Sequence, residues 1–248
     1  MHDSVSLDKF SLAKQWVFTM KTIGLIGGTS WTSTIEYYRV LNQEVAKRLG
    51  GLNCCKMVIY NVQFAELEGA MHADRWDDAA EILRDAARRL HASGADGVLM
   101  CSNLIHRMYD HVQAAVPVPV LHLGDALAAE IKGKGYKKVA LLGARHTMQE
   151  SFYRGRIAEK SGAEILIPND DECRYIDTAI FSRMCANVYT DEDRAAFLAI
   201  IGRLQAQGAE AVILGCTELP VLLPQTPIPQ LSSTDLHCLY AVDWAMAA

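Results

Sequence analysis

The 248-residue chain predicts an α/β protein of two pseudo-symmetric lobes, each a parallel-sheet α/β sandwich, with the active site in the cleft between them. Two observations predict this. Short apolar, β-branched runs alternate with helix-length amphipathic stretches, which is the pattern of βαβ units and parallel sheets. The chain also repeats itself: residues 94–103 read Gly-Ala-Asp-Gly-Val-Leu-Met-Cys-Ser-Asn, and residues 208–217 read Gly-Ala-Glu-Ala-Val-Ile-Leu-Gly-Cys-Thr. Aligned from the leading glycine without a gap, Cys216 has Ser102 as its mate rather than the adjacent Cys101. Residues 21–27 are echoed at 137–143, and the interval from Gly27 to Ser102 matches that from Gly143 to Cys216 to within two residues.

In chain order, residues 21–28 read as a buried strand entering a tight glycine turn. Ser33 or Thr34 then caps a helix that runs to Leu49 and stops at Gly50-Gly51. Residues 56–62 form a second strand, and residues 74–91 a helix with Ala, Leu and Arg at helical spacing. A strand at 98–101 leads to a helix over 103–115 and a short strand at 116–121 with proline at its entry. The second half gives a strand at 137–143, a turn at His146-Thr147-Met148, a helix at 150–160, a strand at 163–168 and a helix at 194–207. The run 211–214 is a buried strand that breaks at Gly215 and delivers Cys216, Thr217 and Glu218 to its carboxyl end, where open α/β sheets bind ligands. Pro224, Pro227 and Pro229 mark the exit, and a last helix, 235–247, returns to cover the first lobe. The expected division is a poorly ordered extension at 1–19, a first lobe of 20–122 with 232–248, and a second lobe of 123–231.

Composition narrows the function. Half the residues are hydrophobic and 21% are charged, the balance of a soluble globular protein with a full core. A net charge of −5 without a basic cluster argues against nucleic acid, and the apolar runs are too short to span a membrane. Asp3 and Asp8 precede the short apolar patch near the N-terminus, which does not look like an export signal, and cysteines without a disulfide framework suit a reducing cytoplasm. Seven cysteines show no Cys-x-x-Cys pair, and eight histidines lack metal-ligand spacing, so neither disulfides nor a metal are expected.

Facing lobes would set Ser102 and Cys216 on opposite sides of one small ligand. Chemistry that removes a proton from one face of a carbon and returns it to the other fits that arrangement. A thiol suits the work if a helix N-terminus lowers its pKa, as the position of Cys216 before Thr217, Glu218 and an apolar run suggests. Ser102 is a weaker base and could equally be an N-cap, while strand alternation turns Cys101 to the core. Gly27-Gly28-Thr29-Ser30 matches neither phosphate-loop pattern. Its backbone N–H groups and hydroxyls instead suit a carboxylate, and Thr147 can serve the same end at the equivalent turn. Phe152-Tyr153-Arg154-Gly155-Arg156 offers either a positive field for an acidic ligand or a solvated helix face. Arg174 is a candidate for a side-chain carboxylate or a surface residue, and His106 an acid or a satisfied imidazole.

At these residues the sequence resembles the aspartate/glutamate racemase superfamily from Met20 to the C-terminus. The matching pieces are Lys-Thr-Ile-Gly-Leu-Ile-Gly-Gly at 21–28, Ser-Asn at 102–103 with His106, Phe-Tyr-Arg-Gly-Arg at 152–156 and Gly-Cys-Thr-Glu at 215–218. The resemblance implies two pseudo-symmetric lobes, no pyridoxal phosphate, no metal, a homodimer, and two cysteines flanking the substrate Cα. Carried over, Cys216 matches the second cysteine and Ser102 stands in place of the first. Asn103 and Thr217 match substrate-binding positions, and Glu218 a position beside the thiol. Leu104 stands where the family has a threonine that helps hold the α-carboxylate, and Thr29 where close relatives have methionine. The expected function is a cofactor-independent racemase of a small, acidic amino acid such as aspartate or glutamate. The alternatives are a one-thiol decarboxylase or isomerase of a small dicarboxylic acid, and a two-lobed metabolite-binding protein without chemistry.

Overall fold

A computed structural model describes residues 20–247; the expected extension at 1–19 lies outside the described residues. The first half runs β1 (Ile23–Gly27), α1 (Trp31–Leu49), β2 (Met57–Asn61), α2 (Phe64–His72), α3 (Trp76–Ala92) and β3 (Gly97–Met100). A 3-10 turn (Leu104–Met108) then leads to α4 (Tyr109–Ala114), β4 (Val120–Leu121) and α5 (Leu123–Lys134). The second half runs β5 (Lys138–Gly143), α6 (Arg145–Gln149), α7 (Ser151–Ser161), β6 (Glu164–Leu166) and α8 (Asp170–Ser182). It continues through a second 3-10 turn (Met184–Ala186) to α9 (Asp191–Ala206), β7 (Ala211–Gly215), α10 (Leu219–Leu222), β8 (Gln230–Ser232) and α11 (Ser233–Met246).

The strands form two four-stranded parallel sheets of identical topology, β2-β1-β3-β4 and β6-β5-β7-β8. Their registers correspond as well: Ile26 pairs with Met100 in the first sheet and Leu142 with Leu214 in the second. Two residues beyond those pairs, the chains reach Ser102 and Cys216.

Alternation along the strands divides the first core in two. Ile23, Leu25, Leu99 and Cys101 pack on one face with Tyr37 and Leu41 of α1, while Ile26, Val98 and Met100 pack on the other with Leu83 and Leu90 of α3. Each half closes its neighbour. Leu123, Leu127 and Ile131 of α5 enter the core of the second sheet, beside α7. Cys238, Ala241, Val242 and Ala245 of α11 return to the first, beside α1. The first helix differs from the sequence expectation. It starts at Trp31, so Ser33 and Thr34 sit inside its first turn instead of capping it. The Thr34 hydroxyl accepts from the Gly28 N–H (2.9 Å) and ties down the glycine turn. Gly28 has φ +82°, and a Cβ there would stand 2.4 Å from the Val62 carbonyl oxygen, so no other residue fits.

The seat of α11 is tight. A Cβ at Gly97 would stand 2.4 Å from the Trp244 ring. Gly97→Ala should therefore destabilise by about 1–3 kcal/mol, with a Tm fall of about 2–4 °C per kcal/mol for a chain of this size. Thermal melts check this: trimming Trp244 to Leu in the same chain should recover part of the loss, and an unchanged Tm would contradict the packing.

Candidate active site

The two sheets turn the carboxyl ends of their central strands toward each other, and side chains bridge the gap. Ser33, in the first turn of α1, reaches the second half: its Oγ lies 2.8 Å from Thr217 Oγ1. Tyr153 of α7 donates its hydroxyl to Asn103 Oδ1, Asn103 Nδ2 donates to Ser233 Oγ (3.2 Å), and Ser233 Oγ donates to the Leu214 carbonyl (2.9 Å). At the rim, Arg107 donates to Glu150 (2.9 Å) and lies 3.8 Å above the Trp76 ring. Each of the turns that carry Ser102 and Cys216 is thus tied to the opposite half by a direct hydrogen bond.

Cys216 follows the end of β7 and is partly buried. Its Sγ–H donates to Glu218 Oε2 (2.8 Å), and the same oxygen accepts from the Thr217 hydroxyl (2.7 Å). Burial and the Glu218 carboxylate push this thiol well above its ordinary pKa. The sequence expectation of a thiol lowered by a helix N-terminus is corrected. Helix α10 is a single turn of four residues, too short to offer a dipole against an adjacent carboxylate. At rest the group is a thiol whose proton points at a base.

Ser102 is partly exposed, and its carbonyl, not its hydroxyl, meets His106. The Leu123 N–H donates to His106 Nε2 (3.2 Å), so the imidazole proton lies on Nδ1 and is donated to the Ser102 carbonyl (2.8 Å). Burial lowers His106 to about 4. Of the two readings left open for it, the satisfied imidazole is the one present. Cys101 is wholly buried in the core beside α1 and α11, and burial pushes its thiol far up.

The glycine turn holds Ser30 at φ 130°, outside the region non-glycine residues favour, as the N-cap of α1. Thr29 and Thr147 are buried, and among the described residues their Oγ1 atoms are the buried side-chain polar atoms without a hydrogen-bond partner. Such orphans are rare in folded proteins and favour sites where a ligand or water completes the pairing. Leu104 is partly buried and presents only an apolar side chain.

Two expected cations are otherwise engaged. Arg174 lies on the exposed face of α8 and pairs with Asp171, because Cys173, Ile176 and Ile180 turn the opposite face inward. Arg156 is held by Asp125 of α5 (2.6 Å), which Lys160 also meets (2.9 Å), and lies over the Tyr109 ring.

Sequence reasoning missed a buried histidine cluster. The rings of His106 and His122 lie 4.7 Å apart, and those of His106 and His237 5.7 Å apart. His237 donates from Nε2 to the Leu121 carbonyl (2.8 Å) and accepts the Tyr37 hydroxyl at Nδ1 (2.9 Å), and burial lowers it to about 3. His122 accepts the Gly124 N–H as the N-cap of α5. The cluster fills the place where both crossover helices leave their sheets. Among the described residues no group of His, Cys, Asp or Glu is arranged to hold a metal, and no helix is long and apolar enough to cross a membrane.

A family model described as Asp/Glu/hydantoin racemase matches residues 26–241. The chain belongs to the Asp/Glu/hydantoin racemase family. It is therefore an enzyme of the isomerase class. The chain is similar to a solved structure of a candidate Asp/Glu racemase from Yersinia pestis, at 40% identity and a TM-score of 0.87 over 92% of this chain and 100% of that one. An aspartate racemase homologue from Pyrococcus horikoshii is similar at 32% identity and a TM-score of 0.79, over 92% of this chain and 100% of that one. A broad-specificity amino-acid racemase from Bacillus subtilis is 24% identical over 220 residues, 86% of this chain and 92% of its own. The two-lobed architecture is that of the family.

Two outcomes follow from the electrostatics. Removing the carboxylate in Glu218→Gln should lower the pH at which Cys216 becomes reactive to iodoacetamide, read at that residue by peptide mass spectrometry; an unmoved midpoint would contradict the pairing. The histidines govern acid stability. An unfolded chain protonates its histidines near pH 6.5, whereas folded His106 and His237 stay neutral down to about 4 and about 3. Between those limits the unfolded state holds more protons, so stability is complete above about pH 6.5 and falls as the pH drops. Melts from pH 7.5 to 4.5 should show a falling Tm with a shallower slope in His237→Gln, and parallel slopes would contradict the assignment.

Proposed function

We propose that the protein is a cofactor-independent racemase of a small amino acid, with aspartate and glutamate the first candidates. The observation that carries the proposal is the thiol–carboxylate hydrogen bond between Cys216 and Glu218 at the end of β7 (2.8 Å). A thiol in that position has a base already in contact. Its proton leaves through Glu218 to solvent, and the resulting thiolate then takes the Cα proton of one enantiomer. Ser102, directly or through a water, supplies a proton to the opposite face and regains one from solvent. The carbanion-like transition state needs donors aimed at the carboxylate, and backbone N–H groups around Asn103 and Thr217 are the natural ones. The unpaired hydroxyls of Thr29 and Thr147, with Ser30 in its strained turn, add donors where Leu104 offers none. The Asn103 side chain is used in bonds to Tyr153 and Ser233, so its part is to fix the turn.

The two proton carriers are unequal. A thiol with a carboxylate partner faces a serine without one, so turnover is faster from one enantiomer than from the other. The family and the names of its relatives favour acidic amino acids, and the aspartate racemase homologue is similar over almost the whole chain. The seven cysteines are all free, which suits a reducing cytoplasm, and the family resemblance implies a homodimer.

Proton NMR in D2O with both enantiomers of aspartate, glutamate and a panel of other amino acids tests the proposal. One substrate should lose its α-proton signal, and Cys216→Ala should slow that exchange by about 10²–10⁴-fold. Ser102→Cys should raise the rate in the slower direction. Undiminished exchange in Cys216→Ala, or none from either hand of any amino acid, would overturn it.

A further inference from the structure

The hydroxyl of Thr217 has one proton, and it goes to Glu218 Oε2 (2.7 Å). Its contact with Ser33 (2.8 Å) must therefore run the other way, with Ser33 donating and Thr217 accepting. A directed chain results, from Ser33 to Thr217 to Glu218, and the Cys216 thiol meets its end at the same oxygen (2.8 Å). Ser33 is buried and belongs to α1 of the first half, while the other three residues belong to the turn after β7 in the second.

We propose that Ser33 is a positioning residue for the Cys216 thiol: its hydroxyl holds Thr217 in the rotamer that donates to Glu218, so contact between the two lobes sets the charge felt by the thiol. The proposal rests on Cys216 as the proton-moving group and names what tunes it. With both donors in place, the Glu218 oxygen is shared. Without Ser33, Thr217 is free to rotate away, the carboxylate charge falls more fully on the sulfur, and the thiolate becomes harder to form. An open cleft would separate Ser33 from Thr217 and have the same effect, so the thiol is ready only when the lobes meet.

Other groups around the sulfur are Cys185, from the turn after α8, and Tyr189, from the loop before α9. Both stay protonated in the neutral range: burial and Glu218 push Cys185 up to about 11 and raise Tyr189 above its ordinary value. Glu218 is therefore the charge that Ser33 controls through Thr217.

The test reads the thiol itself. The rate of iodoacetamide alkylation at Cys216 is followed against pH by peptide mass spectrometry, with the exposed Cys54 as an internal control. In Ser33→Ala the midpoint should move to higher pH, and at a fixed pH below it alkylation should slow roughly tenfold for each pH unit the midpoint rises. Ser33→Thr, which keeps the hydroxyl, should return it toward the wild-type value. Thr217→Val should move it in the same direction, and the Ser33→Ala/Thr217→Val pair should go no further than Thr217→Val alone, because the two act through one chain. An unmoved midpoint in folded Ser33→Ala, or additive changes in the pair, would overturn the proposal. Alkylation needs no substrate, so failure to racemise any amino acid would sink the functional assignment and leave this result standing.

Discussion

The structure depends on an exchange between its halves. Helix α5 follows the first sheet but fills the core of the second, and α11 follows the second sheet but closes the first. The chain thus crosses between the lobes twice, and α5 and α11 pack against each other where it does. The strand ends are held near one another, and the short hydrogen bonds from Ser33 to Thr217 and from Tyr153 to Asn103 join the halves. The buried histidines sit at the crossings, where neutral imidazoles satisfy backbone groups that the chain leaves exposed on departing each sheet.

Within that frame the electrostatics of the site are local. Desolvation and a neighbouring carboxylate both oppose a resting thiolate, so Cys216 rests as a thiol hydrogen-bonded to Glu218. Arg156 is held by Asp125 and Arg174 by Asp171, away from the pair.

Much of this was legible in the sequence. The duplicated strand motifs carried the two-lobe α/β fold, and the Gly-Cys-Thr-Glu turn with its companions carried the family. What escaped has physical reasons. Helix α5 contains Gly124 and Gly133, which blur its periodicity, and α2 is short and carries Gly69. Helix α8 is not assigned from the sequence, where its first turn is three acidic residues after Pro168-Asn169, although Asn169 and Glu172 form a capping box. At the site, residue types were readable but pairings were not. Ser33 looks like a helix cap until its partner 184 residues away is known. Cys216 looked activated by a helix that proves to be one turn long, and His122 and His237 each meet His106 only through tertiary packing.

The central claim is that two different groups serve opposite faces of the substrate carbon. It is tested most directly by following deuterium through the first turnovers in D2O, with chiral separation and mass analysis of both enantiomers. The product enantiomer should carry solvent deuterium from its first appearance, while unreacted substrate in the same sample stays protiated. A product that retains the substrate's own proton would mean one group serves both faces, and the arrangement of Ser102 opposite Cys216 would then not be the catalytic one.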